Sequence, residues 1–93
     1  MLRIHTIFFI NRLAGEVSKD TLNKNFAEIL LTLAEDPVPN IRFNVSKSFD
    51  TLYPRLMPGN KIKCESALKK MCSDSDFDAS FYANQALAKI NKL

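Results

Sequence analysis

Apolar residues recur at spacings of three and four along most of the chain, which is the spacing of one face of an α-helix. The pattern falls into five segments, so the sequence predicts an all-α protein with five helices. The predicted apolar stripes are, helix by helix, Ile7, Ile10, Ala14 and Val17; Leu22, Phe26, Ile29, Leu30 and Leu33; Ile41, Val45, Phe49 and Leu52; Ile62, Leu68 and Met71; and Ala83, Ala86, Leu87, Ile90 and Leu93.

Capping residues and prolines place the ends of the second and third helices. Asp20 or Thr21 can cap the second helix, because their side-chain oxygens can accept a hydrogen bond from a free helical N–H. This helix ends near Ala34, since the sequence Asp-Pro-Val-Pro at 36–39 prevents its continuation. The third helix is predicted to start at the second of these prolines or just after it, and to stop before Pro54.

A loop is predicted at 54–60, where two of the four prolines and one of the two glycines lie. The fourth helix is then expected from about Lys61 to Cys72, and the fifth from about Asp78 onward. The loop joins one helix pair to the next.

The turn-and-helix pattern at 35–42 returns 38 residues later, at 73–80. At this offset apolar residues fall on apolar residues: Leu30 on Leu68, Leu33 on Met71, Ile41 on Ala79, Phe43 on Phe81, Val45 on Ala83, Phe49 on Leu87 and Leu52 on Ile90. A period near 40 residues with two helices per unit is typical of α-solenoids of antiparallel helix pairs, of the HEAT or armadillo kind. Such repeats bury their core by stacking on one another.

The repeat assigns a domain organisation to the chain. Residues 1–93 are predicted to form a single domain. Counting back 39 residues from Arg42 reaches Arg3, so 1–17 is interpreted as the second helix of an incomplete repeat. Residues 20–53 are a full repeat and 60–93 a C-terminal capping repeat.

Asp36 and Arg42 are predicted to set the register of the repeats. A carboxylate at the end of one helix and a guanidinium near the start of the next can pair within a repeat or between neighbours, and both alternatives are open. An exposed ion pair contributes only about 0 to 1 kcal/mol, so its expected role is alignment. In the last repeat the arginine position is Ser80, which is what a terminal cap would show.

Charge and composition point away from a nucleic-acid surface. The net charge is +3, but the 13 basic residues are scattered among 10 acidic ones. The densest basic groups, Lys61 with Lys63 and Lys69 with Lys70, have no interleaved aromatic residues. We therefore expect no nucleic-acid partner.

The first segment has a basic residue before an apolar run, as a signal peptide does. Asn11 and Arg12 end the run early, no small-x-small cleavage site follows, and the run is too short to span a bilayer. We expect no membrane partner and a cytoplasmic protein that can also be nuclear. Cys64 and Cys72, eight residues apart in one helix, are expected to be reduced thiols.

No catalytic, metal or cofactor site is predicted. The chain has a single histidine, and no serine or cysteine has a local base partner. Asp74, Asp76 and Asp78 imitate the start of a calcium-binding loop, but Ala79 stands where glycine is needed. The chain is therefore not expected to be an enzyme, and these carboxylates are expected to cap a helix.

The run at 36–48, Asp-Pro-Val-Pro-Asn-Ile-Arg-Phe-Asn-Val-Ser-Lys-Ser, closely resembles the penultimate HEAT repeat of the scaffold (A) subunits of protein phosphatase 2A. The likeness extends to both sides, through Phe8, Phe9, Ile10, Asn11 and Leu13 upstream and Asp74, Asp76, Asp78, Phe81, Tyr82, Ala83, Gln85, Ala86 and Leu87 downstream. It reaches the family's own C-terminus. Regulatory subunits of the related phosphatase 4 share part of this pattern, so both families stay open.

The resemblance implies a non-catalytic scaffold, which binds a serine/threonine phosphatase catalytic subunit through the turns inside its C-terminal repeats. Carried over by position, the contact residues are Val38, Pro39, Asn40, Asp76, Phe77 and Asp78. This sequence departs from the family pattern at Pro39, where a small residue is usual. It departs again at Phe77 and Ala79, where valines are typical. Phe77 has two readings, a partner contact or a ring folded back against its own repeat.

A self-associating structural protein is the alternative. If the first helix of the first repeat is absent, Ile7, Phe8, Phe9 and Ile10 would form an apolar patch that a second copy could cover.

Overall fold

The computed structural model describes residues 3–91, which form helices joined by turns and contain no β-strand. Five helices run through this part of the chain: α1 (Arg3–Leu13), α2 (19–33), α3 (Pro39–Leu52), α4 (Pro58–Cys72) and α5 (Phe77–Ile90). The predicted all-α fold with five helices is confirmed. The predicted stripe residue Leu93 lies outside the described residues.

The five helices lie in two layers. In one layer α3 packs against both α1 and α5, and α2 and α4 form the other layer. Short turns at 34–38 and 73–76 join α2 to α3 and α4 to α5, and such connections make each pair antiparallel. The dimensions of 35 × 34 × 17 Å suit two layers whose helix axes lie about 8–10 Å apart. Stacked antiparallel pairs are the arrangement of a HEAT-type α-solenoid, while the limits of each repeat stay a prediction.

Stacking buries one apolar cluster to which all five helices contribute. The largest fully buried apolar side chains are Ile7, Ile10, Leu22, Leu30, Val45, Phe49, Leu56 and Leu68. Because neighbouring pairs share this cluster, neither pair closes a core alone.

The start of α2 differs from the prediction. Ser18 is the N-cap, and its Oγ accepts a hydrogen bond from the Thr21 N–H at 3.1 Å. Asp20 lies inside the first turn instead, where a negative charge favours the helix dipole. The first helix also ends earlier than expected, at Leu13 rather than at residue 17.

The loop predicted at 54–60 is shorter than expected. Tyr53–Arg55 forms a turn of 3-10 helix, and α4 already begins at Pro58, three residues before Lys61. Proline is tolerated there because the first helical position needs no N–H bond.

A π-helical segment, Leu22–Phe26, lies inside α2, and its buried Asn23 holds the loop that precedes α4. The Asn23 amide donates to the carbonyls of Lys19 at 2.8 Å and Arg55 at 3.0 Å. Its Oδ1 accepts from the Met57 N–H at 2.7 Å and from Asn60 Nδ2 at 2.9 Å. One side chain therefore satisfies two backbone groups of this loop, the Arg55 carbonyl and the Met57 N–H.

The inward face of α4 is also different from the one predicted. Ile62 is 69% exposed, whereas Cys64, Leu68 and Met71 are buried. These three residues lie four and three positions apart, as one helix face requires. Burial raises the pKa of the Cys64 thiol to about 12, so Cys64 is a neutral core side chain.

Candidate partner-binding ridge

The two turns inside the helix pairs lie next to each other along one edge of the molecule. Asp36, Pro37 and Arg42 from the first turn line the same surface depression as Asp74 and Ser75 from the second. The six predicted contact residues follow these two lining segments directly in the sequence, and together they are called the ridge: Val38, Pro39, Asn40, Asp76, Phe77 and Asp78.

Arg42 joins the two turns through its guanidinium group. Nε and Nη2 donate to the two carboxylate oxygens of Asp74, at 2.7 and 2.9 Å. Nη1 donates to the backbone carbonyls of Asp36 at 2.9 Å and Pro37 at 3.0 Å. The hydrogen bond from Arg42 holds the pKa of the Asp74 carboxyl below its usual value. One planar side chain therefore fixes the second turn against the first.

Asp36 does not pair with Arg42 through its carboxylate. Its Oδ2 forms an ion pair with Arg3 Nε, and its Oδ1 accepts from the Val38 N–H at 2.9 Å. The second turn repeats this local geometry, because Asp74 Oδ1 accepts from the Asp76 N–H at 2.9 Å. Arg3 and Arg42 therefore each reach the aspartate of the following turn, and of the two alternatives the structure shows pairing between neighbours.

Ser80 occupies the position that Arg42 has in the preceding pair. Its Oγ donates to the carbonyl of Cys72 at 2.8 Å. This hydrogen bond stays within one helix pair, whereas the hydrogen bonds from Arg42 to Asp74 link two helix pairs.

The first turn presents a small apolar crest. Val38 is 39% exposed and Asn40 is exposed, while Pro39 is half-buried as the first residue of α3. The hydrogen bond from the Val38 N–H to the Asp36 carboxylate and the two flanking prolines restrict this turn. Its conformation is therefore set before any partner arrives.

The second turn presents a large aromatic ring. Phe77 is 78% exposed, so of its two readings the one folded back into the repeat is wrong. The ring stacks on Phe81, with centroids 6.1 Å apart. Asp76 is half-buried because its Oδ2 accepts from the Ala79 N–H at 3.0 Å as the N-cap of α5, and Asp78 is exposed.

Aromatic residues extend the surface beyond the ridge, and the sequence reasoning missed them. Phe81 is 50% exposed and meets Tyr82 edge-on, with centroids 5.3 Å apart. Tyr82 stacks on Phe43 of the neighbouring helix at 5.4 Å. The spacing of four between Phe77 and Phe81 was the available signal, because it places both rings on one face of α5.

The apolar patch predicted on α1 is only partly exposed. Phe8 and Phe9 are 53% and 55% exposed, but Ile7 and Ile10 are buried in the core. Including the two isoleucines in the patch was wrong, because they face α3 and the rest of the core cluster.

Within residues 3–91, no helix combines the length and the apolar content needed to cross a membrane.

Comparison with known proteins gives a consistent set of relatives. No model of a known protein family matches the sequence. The PP2A regulatory A subunit of Saccharomyces cerevisiae is 30% identical over 92 residues, covering 90% of this chain and 14% of the relative. The protein of the same name from Schizosaccharomyces pombe is 41% identical over 59 residues, covering 63% of this chain and 10% of the relative.

A relative from Drosophila melanogaster, the serine/threonine-protein phosphatase PP2A 65 kDa regulatory subunit, is 39% identical over 59 residues, covering 62% of this chain and 10% of its own length. The chain thus spans 10 to 14% of the length of the curated relatives it matches. All three are named as regulatory subunits, which supports the prediction that the chain is not an enzyme. The chain is a relative of the regulatory A subunits of protein phosphatase 2A, matched over a segment of those subunits.

Proposed function

We propose that the chain acts as a non-catalytic scaffold that binds a serine/threonine phosphatase catalytic subunit through the ridge. The names of the relatives support a regulatory role in phosphatase assemblies. The ridge is the surface on which rigid turns carry exposed apolar side chains. In line with the resemblance, we assign the segment to the C-terminal repeats of such a scaffold and to the cytoplasm, with the nucleus as a second location.

Exposure of Phe77 is the observation that carries the proposal. A side chain that is 78% exposed gains most of its burial free energy only when a partner covers it. Removing a whole Phe side chain from water is worth about 1.5–3 kcal/mol. Phe77 starts α5 directly after the N-cap Asp76, so docking orders little backbone and loses little entropy.

The surroundings of Phe77 suit a binding hot spot. Asp76 and Asp78 flank the ring, and Phe81 supports it from one side. An apolar anchor inside a polar rim is the usual composition of an energetically dominant contact. Charge on the rim would then contribute to orientation and to the association rate more than to affinity.

The test is the affinity of the chain for a purified phosphatase catalytic subunit, measured by biolayer interferometry. We expect Phe77→Ala to weaken binding about 30-fold, which corresponds to about 2 kcal/mol. Ile62→Ala is the matched control, because Ile62 is also an exposed apolar residue, 69% exposed, and lies on α4 away from the ridge. Equal affinity of the Phe77→Ala variant and the wild type would refute the proposed ridge.

Self-association through α1 is a second candidate function, favoured by the exposure of Phe8 and Phe9. Two adjacent aromatic rings that are more than half exposed form an apolar surface that a second copy could cover. Sedimentation equilibrium would show a concentration-dependent dimer that Phe9→Glu abolishes. A strictly monomeric wild type at high concentration would contradict this candidate and leave the ridge proposal untouched.

A further inference from the structure

The solvent-facing side of α5 carries an uncharged row of side chains. Its members lie four, three, four and three positions apart, which places them on one helix face. All of them are exposed, and they are called the outer stripe: Phe77, Phe81, Asn84, Ala88 and Asn91. The exposed positions of α4, by comparison, include Lys63, Lys69 and Lys70. Absence of charge is typical of the centre of an interface rather than of a face kept in water.

The outer stripe runs from large side chains to small ones. Phe77 and Phe81 stack near its start, with ring centroids 6.1 Å apart, and they are 78% and 50% exposed. Asn84 turns back onto its own helix, since its Nδ2 donates to the Ser80 carbonyl at 2.9 Å. Ala88 follows one turn later. The two rings therefore project further from the helix axis than the side chains of the C-terminal half.

Two copies of this stripe fit each other when their helices run antiparallel. A two-fold axis near Asn84 sets Phe81 level with Ala88 of the second copy, and Phe77 level with Asn91 of the second copy. Each ring then lies over a shorter side chain, as the packing of ridges into grooves requires. A parallel pair would set ring against ring and hold the C-terminal halves apart. The shape of the stripe is thus self-complementary in the antiparallel orientation.

Charges beside the stripe favour the same orientation. Asp78 is exposed near the start of α5, and Lys89 lies near its end on the same side, because eleven positions make about three helical turns. Lys89 is 68% exposed and makes only a long contact of 3.4 Å to Asp50 Oδ2. An antiparallel pair brings Asp78 of each copy level with Lys89 of the other. A parallel pair would set like charges side by side, which is unfavourable.

We propose that the outer stripe binds the outer stripe of a second copy of this chain, in an antiparallel pair around a two-fold axis. Both copies use the same residues, as in other isologous contacts. The two rings offer each copy only about 250 Å² of exposed surface. A single pair of short helices belongs with the interfaces below about 1,200 Å² that hold transient complexes. We therefore expect a dimer with a Kd of about 10–100 µM.

The pairing needs no catalytic subunit, so it goes beyond the proposed scaffold function and can fail separately from it. Because Phe77 belongs to both surfaces, a catalytic subunit bound at the ridge would compete with the second copy. This competition alone rests on the proposed function.

Sedimentation equilibrium of the whole chain, from about 5 to 500 µM, tests the pairing. Ala88→Glu should weaken the dimer at least about tenfold, because it buries a carboxylate under a ring of the second copy. Ser66→Glu adds the same charge at an exposed position of α4 and should change the Kd less than about twofold. Phe9→Glu should leave this dimer intact, whereas association through α1 requires its loss.

Three results would overturn the proposal. They are a strictly monomeric wild type, equal losses from Ala88→Glu and Ser66→Glu, and a dimer that Phe9→Glu abolishes but Ala88→Glu does not. If the wild type is monomeric and Ala88→Glu weakens binding to the catalytic subunit, the stripe belongs to that partner instead of a second copy.

A charge exchange tests the orientation of the pair at low salt. Asp78→Lys and Lys89→Glu should each weaken the dimer about fivefold, because each sets like charges level with one another. The double variant Asp78→Lys/Lys89→Glu restores the attraction with the signs exchanged, and its Kd should return to within about twofold of the wild-type value. Melting curves show whether each variant is folded at the temperature used. Losses that add in a folded double variant would overturn the antiparallel pair.

Discussion

Removal of the Arg42 guanidinium is the perturbation whose effect follows most directly from the structure. The group makes four hydrogen bonds that hold two turns together. Its side chain is 16% exposed and that of Asp74 is 11% exposed, so the pair is neither a surface ion pair nor a fully buried one. Breaking a buried pair costs about 3–5 kcal/mol, and with this residual exposure we expect Arg42→Ala to cost about 2–3 kcal/mol.

The assay is urea unfolding followed by circular dichroism. With a slope of about 1 kcal/mol per M for a small domain, Arg42→Ala should lower the midpoint by about 2 M. Arg42→Lys keeps the charge but loses the two-pronged geometry, and we expect it to cost about 1 kcal/mol. It serves as the readable variant if Arg42→Ala does not fold.

Lys70→Ala is the matched control for Arg42→Ala. Lys70 also bridges the two helix pairs, with its Nζ 2.9 Å from Glu35, but the two side chains are 72% and 64% exposed. Such a pair contributes about 0–1 kcal/mol. A loss of stability from Arg42→Ala that is no larger than the loss from Lys70→Ala would contradict the linking role of Arg42. The same holds if the effects of Arg42→Ala and Asp74→Ala add without coupling in a double-mutant cycle.

Three further predictions concern pH, thiol reactivity and the buried amide. Because Arg42 lowers the folded-state pKa of Asp74, the stabilisation by this pair is complete above the unfolded carboxyl value of about 3.9 and is lost as pH falls through the lower folded value. The stability difference between wild type and Asp74→Asn, measured by urea unfolding, should therefore shrink in acid; a constant difference would contradict this. Cys64, buried and with a thiol pKa raised to about 12, should react with iodoacetamide far more slowly than Cys72 in the folded chain and equally fast in urea. Equal rates in the folded chain would argue against the burial of Cys64. Asn23→Ala should cost about 3 kcal/mol in urea unfolding because it leaves backbone groups of the α4 loop without partners, while Asn84→Ala on the exposed face of α5 should cost under about 0.5 kcal/mol.

Helix number and the pairing of the helices could be predicted from the sequence because both follow from local spacing and from the repeat. The ends of the helices could not be placed from the sequence where several neighbouring residues are able to cap or begin a helix. Asp20, Thr21 and Ser18 can all cap a helix, and residue type alone does not select Ser18, which is the N-cap in the structure. Pro58 lies in the predicted loop, although proline also suits a first helical position, which it occupies in α4.

The inward face of α4 could have been predicted from spacing. Cys64, Leu68 and Met71 lie four and three positions apart, whereas Ile62 lies six positions from Leu68 and therefore on another face of the helix. On α1 the aromatic pair and the isoleucines are neighbours in sequence but lie on different faces. When apolar residues lie around most of the circumference of a helix, its sequence does not show which faces the neighbouring helices will cover.

The ridge could be placed from the sequence because it follows from the repeat and from the family resemblance. Its connections could not, because Arg42 reaches Asp74 across 32 positions of the chain.

Site-specific photo-cross-linking tests the central claim most directly. A benzoyl-phenylalanine probe is placed at position 77 of the ridge or, as a control, at position 62 of α4, and each chain is irradiated with a purified phosphatase catalytic subunit. We expect cross-links to the catalytic subunit from position 77 and none above background from position 62. Cross-linking from position 62 alone, or equally from both positions, would contradict a ridge that binds its partner through Phe77.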